Sequence, residues 1–254
     1  MTIGHEIIGS GKEGIIVLHG WFGDHTSFAP TFSCLDTDTF TYAFMDYRGY
    51  GASRDIVGEH TLEEIAGDAI ALADHLGWDR FHVVGHSIGG KALQRVALDA
   101  PGRVKSGVAL TPVPASAPDL DADTEALLDG AADSDDNRRT ILDFTTGNRL
   151  SGVWLDLKVK KSRETTTRDA YADYLVAWAK TGFEDEVKGL DTPVLILLGE
   201  HDPVYNQEAM EQTILAWLPK SRMAVIPNAG HYPMDETPVD MVTRMEAFMR
   251  EHAG

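Results

Sequence analysis

The sequence predicts an α/β fold: a mostly parallel central sheet, helices on both faces, and a helical segment inserted after the middle strands. Three observations lead there. Short apolar runs alternate with helical patterns from Gly14 to Leu110, and again from Pro193 onward. Most of these runs are apolar throughout, as in strands covered on both faces of a parallel sheet. From about Pro114 to Gly189 the alternation stops and helical patterns alone remain.

The elements follow in order. His5 to Ile8 is a weak first strand, ended by Gly9-Ser10-Gly11. Gly14 to Leu18 is stronger and delivers the loop His19-Gly20-Trp21-Phe22-Gly23-Asp24. Thr41 to Met45 ends in Asp46-Tyr47-Arg48-Gly49-Tyr50-Gly51-Ala52-Ser53. Thr61-Leu62-Glu63-Glu64 is a capping box, and Leu62, Ile65, Ala66, Ala69, Ile70, Ala73 and Leu76 form an apolar stripe that Gly77 stops. Phe81 to Gly85 is a strand leading into a helix that ends before Pro101, and Val104 to Leu110 is a further strand.

Pro114 marks a change of character. The chain divides into a core of residues 1–113 and 190–254 and a helical cap of residues 114–189. Asp119 to Asp136, rich in acids and without Lys or Arg, reads as a solvated face. Tyr171, Tyr174, Leu175 and Trp178 fall at i, i+3, i+4 and i+7, giving one helix an aromatic face. The alternation resumes with a strand at Pro193 to Leu198, a helix at Gln207 to Trp217 and a strand at Met223 to Ile226. The last helix takes Thr237 as its cap and Pro238 at its first position.

Composition narrows the function. The formal charge of −18 repels phosphate backbones and anionic lipid, so neither a nucleic acid nor a membrane is expected as partner. Cys34 is the only cysteine, which excludes an intrachain disulfide and a cysteine-based zinc site. The histidines show no ligand spacing, and neither metal nor cofactor is expected. Residues 1–6 carry no basic segment followed by a long apolar run, which predicts a cytoplasmic chain.

Chemistry concentrates at Gly85-His86-Ser87-Ile88-Gly89, a G-x-S-x-G stretch between a strand and a helix. The same stretch, Gly85 to Ala92, also comes one residue short of a phosphate-binding loop; Ala92 stands where that loop needs a hydroxyl for Mg²⁺. The remaining chain favours the nucleophile reading. Ser87, Asp202 and His231 each follow a predicted strand, where α/β sheets place their ligands. His231 would take the Ser87 proton, and Asp202 would hold the imidazole in one orientation. The N–H groups of Ile88 and Trp21 are the expected oxyanion donors. Asp235 is the alternative orienter.

His19-Gly20-Trp21, Asp46-x-Arg48-Gly49-x-Gly51-x-Ser53, Gly85-His86-Ser87-Ile88-Gly89-Gly90, Gly199-x-x-Asp202-Pro203 and Gly230-His231-x-Pro233 occur together. On these segments the chain resembles the α/β-hydrolase superfamily, over nearly its whole length outside the cap. One departure is Phe22, where relatives often carry proline. The resemblance implies an α/β-hydrolase fold and a cofactor-independent serine hydrolase that cleaves a small carboxylic ester or lactone through an acyl-enzyme. Alternatives within its range are hydrolysis of a carbon–carbon bond, a haloperoxidase-like perhydrolysis, and a small-molecule sensor that keeps the triad. Trp21, His86, Tyr171, Tyr174 and Trp178 are the expected substrate contacts, and Asp46, Arg48 and Ser53 are expected to brace the loop beside the site.

Overall fold

The computed structural model describes residues 2–254. Seven strands, β1 (His5–Gly9), β2 (Glu13–Leu18), β3 (Phe40–Met45), β4 (Phe81–His86), β5 (Val104–Leu110), β6 (Val194–Gly199) and β7 (Ser221–Ile226), form one sheet. Their order is β1-β3-β2-β4-β5-β6-β7. Only β1 runs antiparallel, against β3. The other pairs are parallel. The apolar runs sit as expected, with every residue of β4 and β6 buried.

Topology decides where a ligand can bind. From β2 the chain steps one way to β3, then reverses across β2 to β4, and every later step continues that way. Right-handed crossovers place connections of opposite direction on opposite faces. The 3₁₀ segment His25–Cys34 therefore covers one face, and α1 (Leu62–His75) and α2 (Ile88–Asp99) the other. The packing agrees: α1 lies against α2, and His25–Cys34 lies against the last helix, α11 (Pro238–Arg250). The reversal opens a crevice between the carboxyl ends of β2 and β4. The loop at Trp21 and the turn at Ser87 leave from those two neighbouring strands.

Five helices lie between β5 and β6: α3 (Ala122–Gly130), α4 (Asp135–Thr145), α5 (Gly152–Thr165), α6 (Arg168–Ala179) and α7 (Glu184–Val187). The first four each begin on a side-chain cap. Asp121, Ser134, Ser151 and Thr167 accept the backbone N–H three residues on. Two local expectations change. The helix read across Gln207 to Trp217 is two pieces, α8 (Gln207–Glu211) and α9 (Ile214–Trp217). Thr213, between them, lies outside the helical region at φ −124° and ψ −105°, so the ladder cannot run through it. Thr237 does not cap α11 through its side chain; it follows the short α10 (Pro233–Glu236) with extended φ. Among the described residues no helix is long and apolar enough to cross a membrane.

One buried cluster makes stability depend on pH. The His82 ring is fully buried between Ser106 Oγ at 2.8 Å and Glu13 Oε2 at 3.3 Å. Burial pushes its pKa down to about 4. The unfolded chain takes up a proton near pH 6.5 that the folded chain refuses until about pH 4. Stability is therefore intact above about pH 6.5 and falls as pH drops toward 4, by on the order of 3 kcal/mol from this residue. Urea unfolding at pH 7.5 and pH 4.5 should show that loss, and His82→Phe should flatten the slope. An equal slope in the variant would remove His82 as its source.

Candidate active site

Ser87 occupies the turn between β4 and α2 with φ 56° and ψ −116°. The flanking glycines are a steric necessity. A Cβ on Gly85 would meet the Gly89 carbonyl oxygen at 2.1 Å, and one on Gly89 would meet the Leu18 carbonyl oxygen at 2.4 Å. The turn is held on both sides: the Ser87 amide donates to Leu110 O at 3.0 Å, and its carbonyl accepts from Gly90 and Val113. The N–H of Ile88 opens α2 and donates to no protein acceptor among the described residues. A residue held at such a backbone angle stores strain that its surroundings must maintain.

Asp202 leaves the end of β6 and His231 the loop after β7. Asp202 Oδ2 accepts from His231 Nδ1 at 2.7 Å, and Oδ1 accepts from the amides of Val204 and Tyr205 at 2.9 and 3.0 Å. Both side chains are buried. With Nδ1–H committed to the carboxylate, Nε2 is left as the acceptor. His231 and Ser87 line one cavity. Among the described residues no hydrogen bond joins the Ser87 hydroxyl to the ring, a gap such pairs often close only with substrate bound.

The backbone of His231 is gripped from four directions. Its amide donates to Thr145 O at 3.2 Å. Its carbonyl accepts from His86 Nε2 at 2.8 Å and from Thr111 Oγ1 at 3.0 Å. The amides of Gly230 and Tyr232, on either side, share Glu236 Oε1 at 2.9 and 3.2 Å. A carbonyl can only accept, so His86 carries its proton on Nε2. Burial and then the nearby His231 push the His86 pKa well below the usual imidazole value. His86 was expected to touch substrate; it does not line the cavity and instead supports the His231 backbone, with its ring against Gly20. Thr111, at φ 39°, was missed, because its partner lies 120 residues away.

The loop after β2 is braced through its carbonyls. His19 Nδ1 bonds Gly20 O at 2.8 Å, Tyr47 Oη donates to His19 O at 2.7 Å, and Tyr50 Oη to Trp21 O at 3.1 Å. The N–H of Trp21 donates to no protein acceptor among the described residues. Its indole is fixed as well: Nε1 donates to Tyr171 O at 2.8 Å, and the ring stacks on Tyr171 at 4.2 Å. Asp46 accepts from His25 N, His25 Nδ1 and Ala52 N at 2.8 Å each. Ser53 Oγ accepts from Gly4 N, and Arg48 binds Asp68 through two nitrogens. Asp24, His25 and Asp46 also bring one potential metal ligand each within 4.8 Å, a grouping the spacing had not suggested. The neighbouring Asp46 raises the His25 pKa, which favours an imidazolium–carboxylate pair there. Asp235, the alternative orienter, is paired with Lys158 at 2.5 Å.

The cavity at Ser87 and His231 measures about 170 Å³, and no Asp, Glu, Lys or Arg lines it. Of the aromatic face expected to touch substrate, only Trp178 reaches it. Tyr171 lies between Trp21 and the guanidinium of Arg138, 3.7 Å from its ring, and Tyr174 packs on Tyr47, Tyr50 and His60. Both tyrosines are buried cement rather than pocket wall. The wall comes instead from the acidic stretch. Leu120, Thr124, Leu127 and Leu128 line the cavity while the acids of that stretch point to solvent. Their spacing of i, i+4, i+7 and i+8 was a readable stripe, hidden among the charges. Tyr205 and Tyr232 close the side near the imidazole.

The family described as the alpha/beta hydrolase fold matches residues 14–238. The chain is 28% identical to a non-heme haloperoxidase of Rhodococcus erythropolis, over 88% of this chain and 86% of that one. It is 25% identical to the carboxylesterase YbfK of Bacillus subtilis, over 96% of this chain and 83% of that one. Among solved structures, an esterase from Exiguobacterium antarcticum superposes with a TM-score of 0.87 at 19% identity, covering 98% and 95% of the two chains.

Proposed function

The chain belongs to the alpha/beta hydrolase fold family, and on that premise we propose that it is a cofactor-independent serine hydrolase of small, uncharged carboxylic esters or lactones. One observation carries the reading. A strained serine and a carboxylate-oriented histidine open onto the same cavity, beside two unengaged N–H groups. His231 Nε2 accepts the Ser87 proton as Oγ bonds to the substrate carbonyl carbon. The displaced electron pair goes to the carbonyl oxygen, facing the amides of Ile88 and Trp21. Collapse breaks the ester C–O bond, and the imidazolium returns the proton to the leaving alcohol. Water then repeats the sequence on the acyl-enzyme and releases the acid.

The lining supports a substrate without charge. A carboxylate taken from water into this cavity would find no cation, a loss of several kcal/mol. Neutral short-chain esters should therefore exceed their carboxylate-bearing analogues by roughly 100-fold or more in kcat/KM. Equal rates on both would sink the neutral-substrate reading. Trp178→Ala should change the kcat/KM ratio between a bulky and a minimal acetyl ester by about tenfold. A uniform loss across esters, with a large fall in Tm, would return Trp178 to packing alone. The likeness to a haloperoxidase favours one second reading, in which hydrogen peroxide replaces water at the acyl-enzyme and a peracid leaves. Peroxide-dependent bromination with acetate present tests it.

A further inference from the structure

Lys91 is the residue that makes the serine turn look like a phosphate-binding loop, and it does not line the cavity at Ser87. It lies one turn into α2 and is fully buried. Its ammonium donates to three backbone carbonyls: Ser116 at 3.0 Å, Trp178 at 2.9 Å and Thr181 at 2.6 Å. Three protons meet three acceptors, so none is left for a phosphate. No carboxylate forms an ion pair with it among the described residues. Burial pushes its pKa down to about 8, still charged at neutral pH. An apolar side chain would avoid that desolvation, and a buried charge is weak support for stability as such.

The three acceptors suggest what is gained. Ser116 starts the segment between β5 and β6, and Trp178 and Thr181 lie where α6 ends. The last carbonyls of a helix lack intrahelical partners and carry its negative pole, so a cation there is well placed. Gln94, one turn further along α2, holds the same start: Nε2 donates to Val113 O and Oε1 accepts from Ala115 N, both at 3.2 Å. Thus the helix that begins at Ser87 grips the segment near its start and again where α6 ends, at the residue whose indole lines the cavity.

We propose that Lys91 is a positioning residue for substrate selection, seating the Trp178 wall at a fixed distance from Ser87. The selectivity arm of this proposal rests on the hydrolase reading above. Lys91→Met removes the donors at similar volume, and Lys91→Gln keeps a shorter neutral donor. In whichever folds, the kcat/KM ratio between a bulky and a minimal ester should shift by about fivefold or more. In a Trp178→Ala background the same change should leave the ratio constant, because the wall it positions is gone. A merely structural lysine would lower all esters alike, and a ratio shift below about fivefold overturns the proposal. If neither variant folds, hydrogen exchange of the wild-type chain decides. Amides of residues 176–181, pinned to α2, should exchange at least about tenfold slower than those of α3, which makes no hydrogen bond to Lys91 and meets Lys180 only through exposed ion pairs. A smaller difference overturns the seat. A chain that hydrolyses no ester fails the function proposed above and leaves this exchange measurement intact.

Discussion

Ser87→Ala should lower kcat by about 10⁶, the scale of losing the nucleophile from a set of groups that act as a unit. The variant should still fold, since the hydroxyl makes no hydrogen bond that holds the turn, whose contacts run through the Ser87 amide and carbonyl. A fluorophosphonate reagent should add once to the native protein, as read by intact mass, and not at all to the variant. Ser106 also lies against an imidazole, His82 at 2.8 Å, but both are fully buried and neither lines the cavity at Ser87, so the reagent should not reach them. Adduct on both proteins, or full turnover by the variant, would move the chemistry off Ser87.

Asp202→Asn should cost about 10⁴ in kcat, because an amide can present its N–H to Nδ1 and force the proton onto Nε2. That tautomer cannot accept from Ser87. The two amides on Oδ1 keep the side chain in place, so the loss should appear in kcat with KM little changed. Asp235→Asn provides the contrast. It breaks an ion pair with Lys158 that lines a different cavity from Ser87, and kcat should stay within about tenfold of native. The opposite ranking would make Asp235 the orienter and leave the 2.7 Å bond between His231 and Asp202 without a role in turnover.

What could be read from the sequence was local. The buried strands announce themselves because both faces need apolar residues, and the serine turn because glycines must sit two residues to either side. Thr213 shows the limit of a propensity argument: one residue turned to φ −124° and ψ −105° splits what the pattern joins. Periodicity says that a face is buried, not against what. Tyr171, Tyr174 and Trp178 share a helix face, yet the first two meet the residues around β2 and β3 and only the third meets the cavity. Thr111 and His86 act on a carbonyl more than a hundred positions away, and no local pattern encodes that meeting.

The bond from the Trp21 indole to the Tyr171 carbonyl ties the loop after β2 to α6, and the two rings stack at 4.2 Å. The residue whose amide is left unengaged near Ser87 is thus held in place by a helix 150 positions away in the chain. Alignment of that amide and seating of α6 are one property of the molecule, not two. A substitution that disturbs either would be felt at the other.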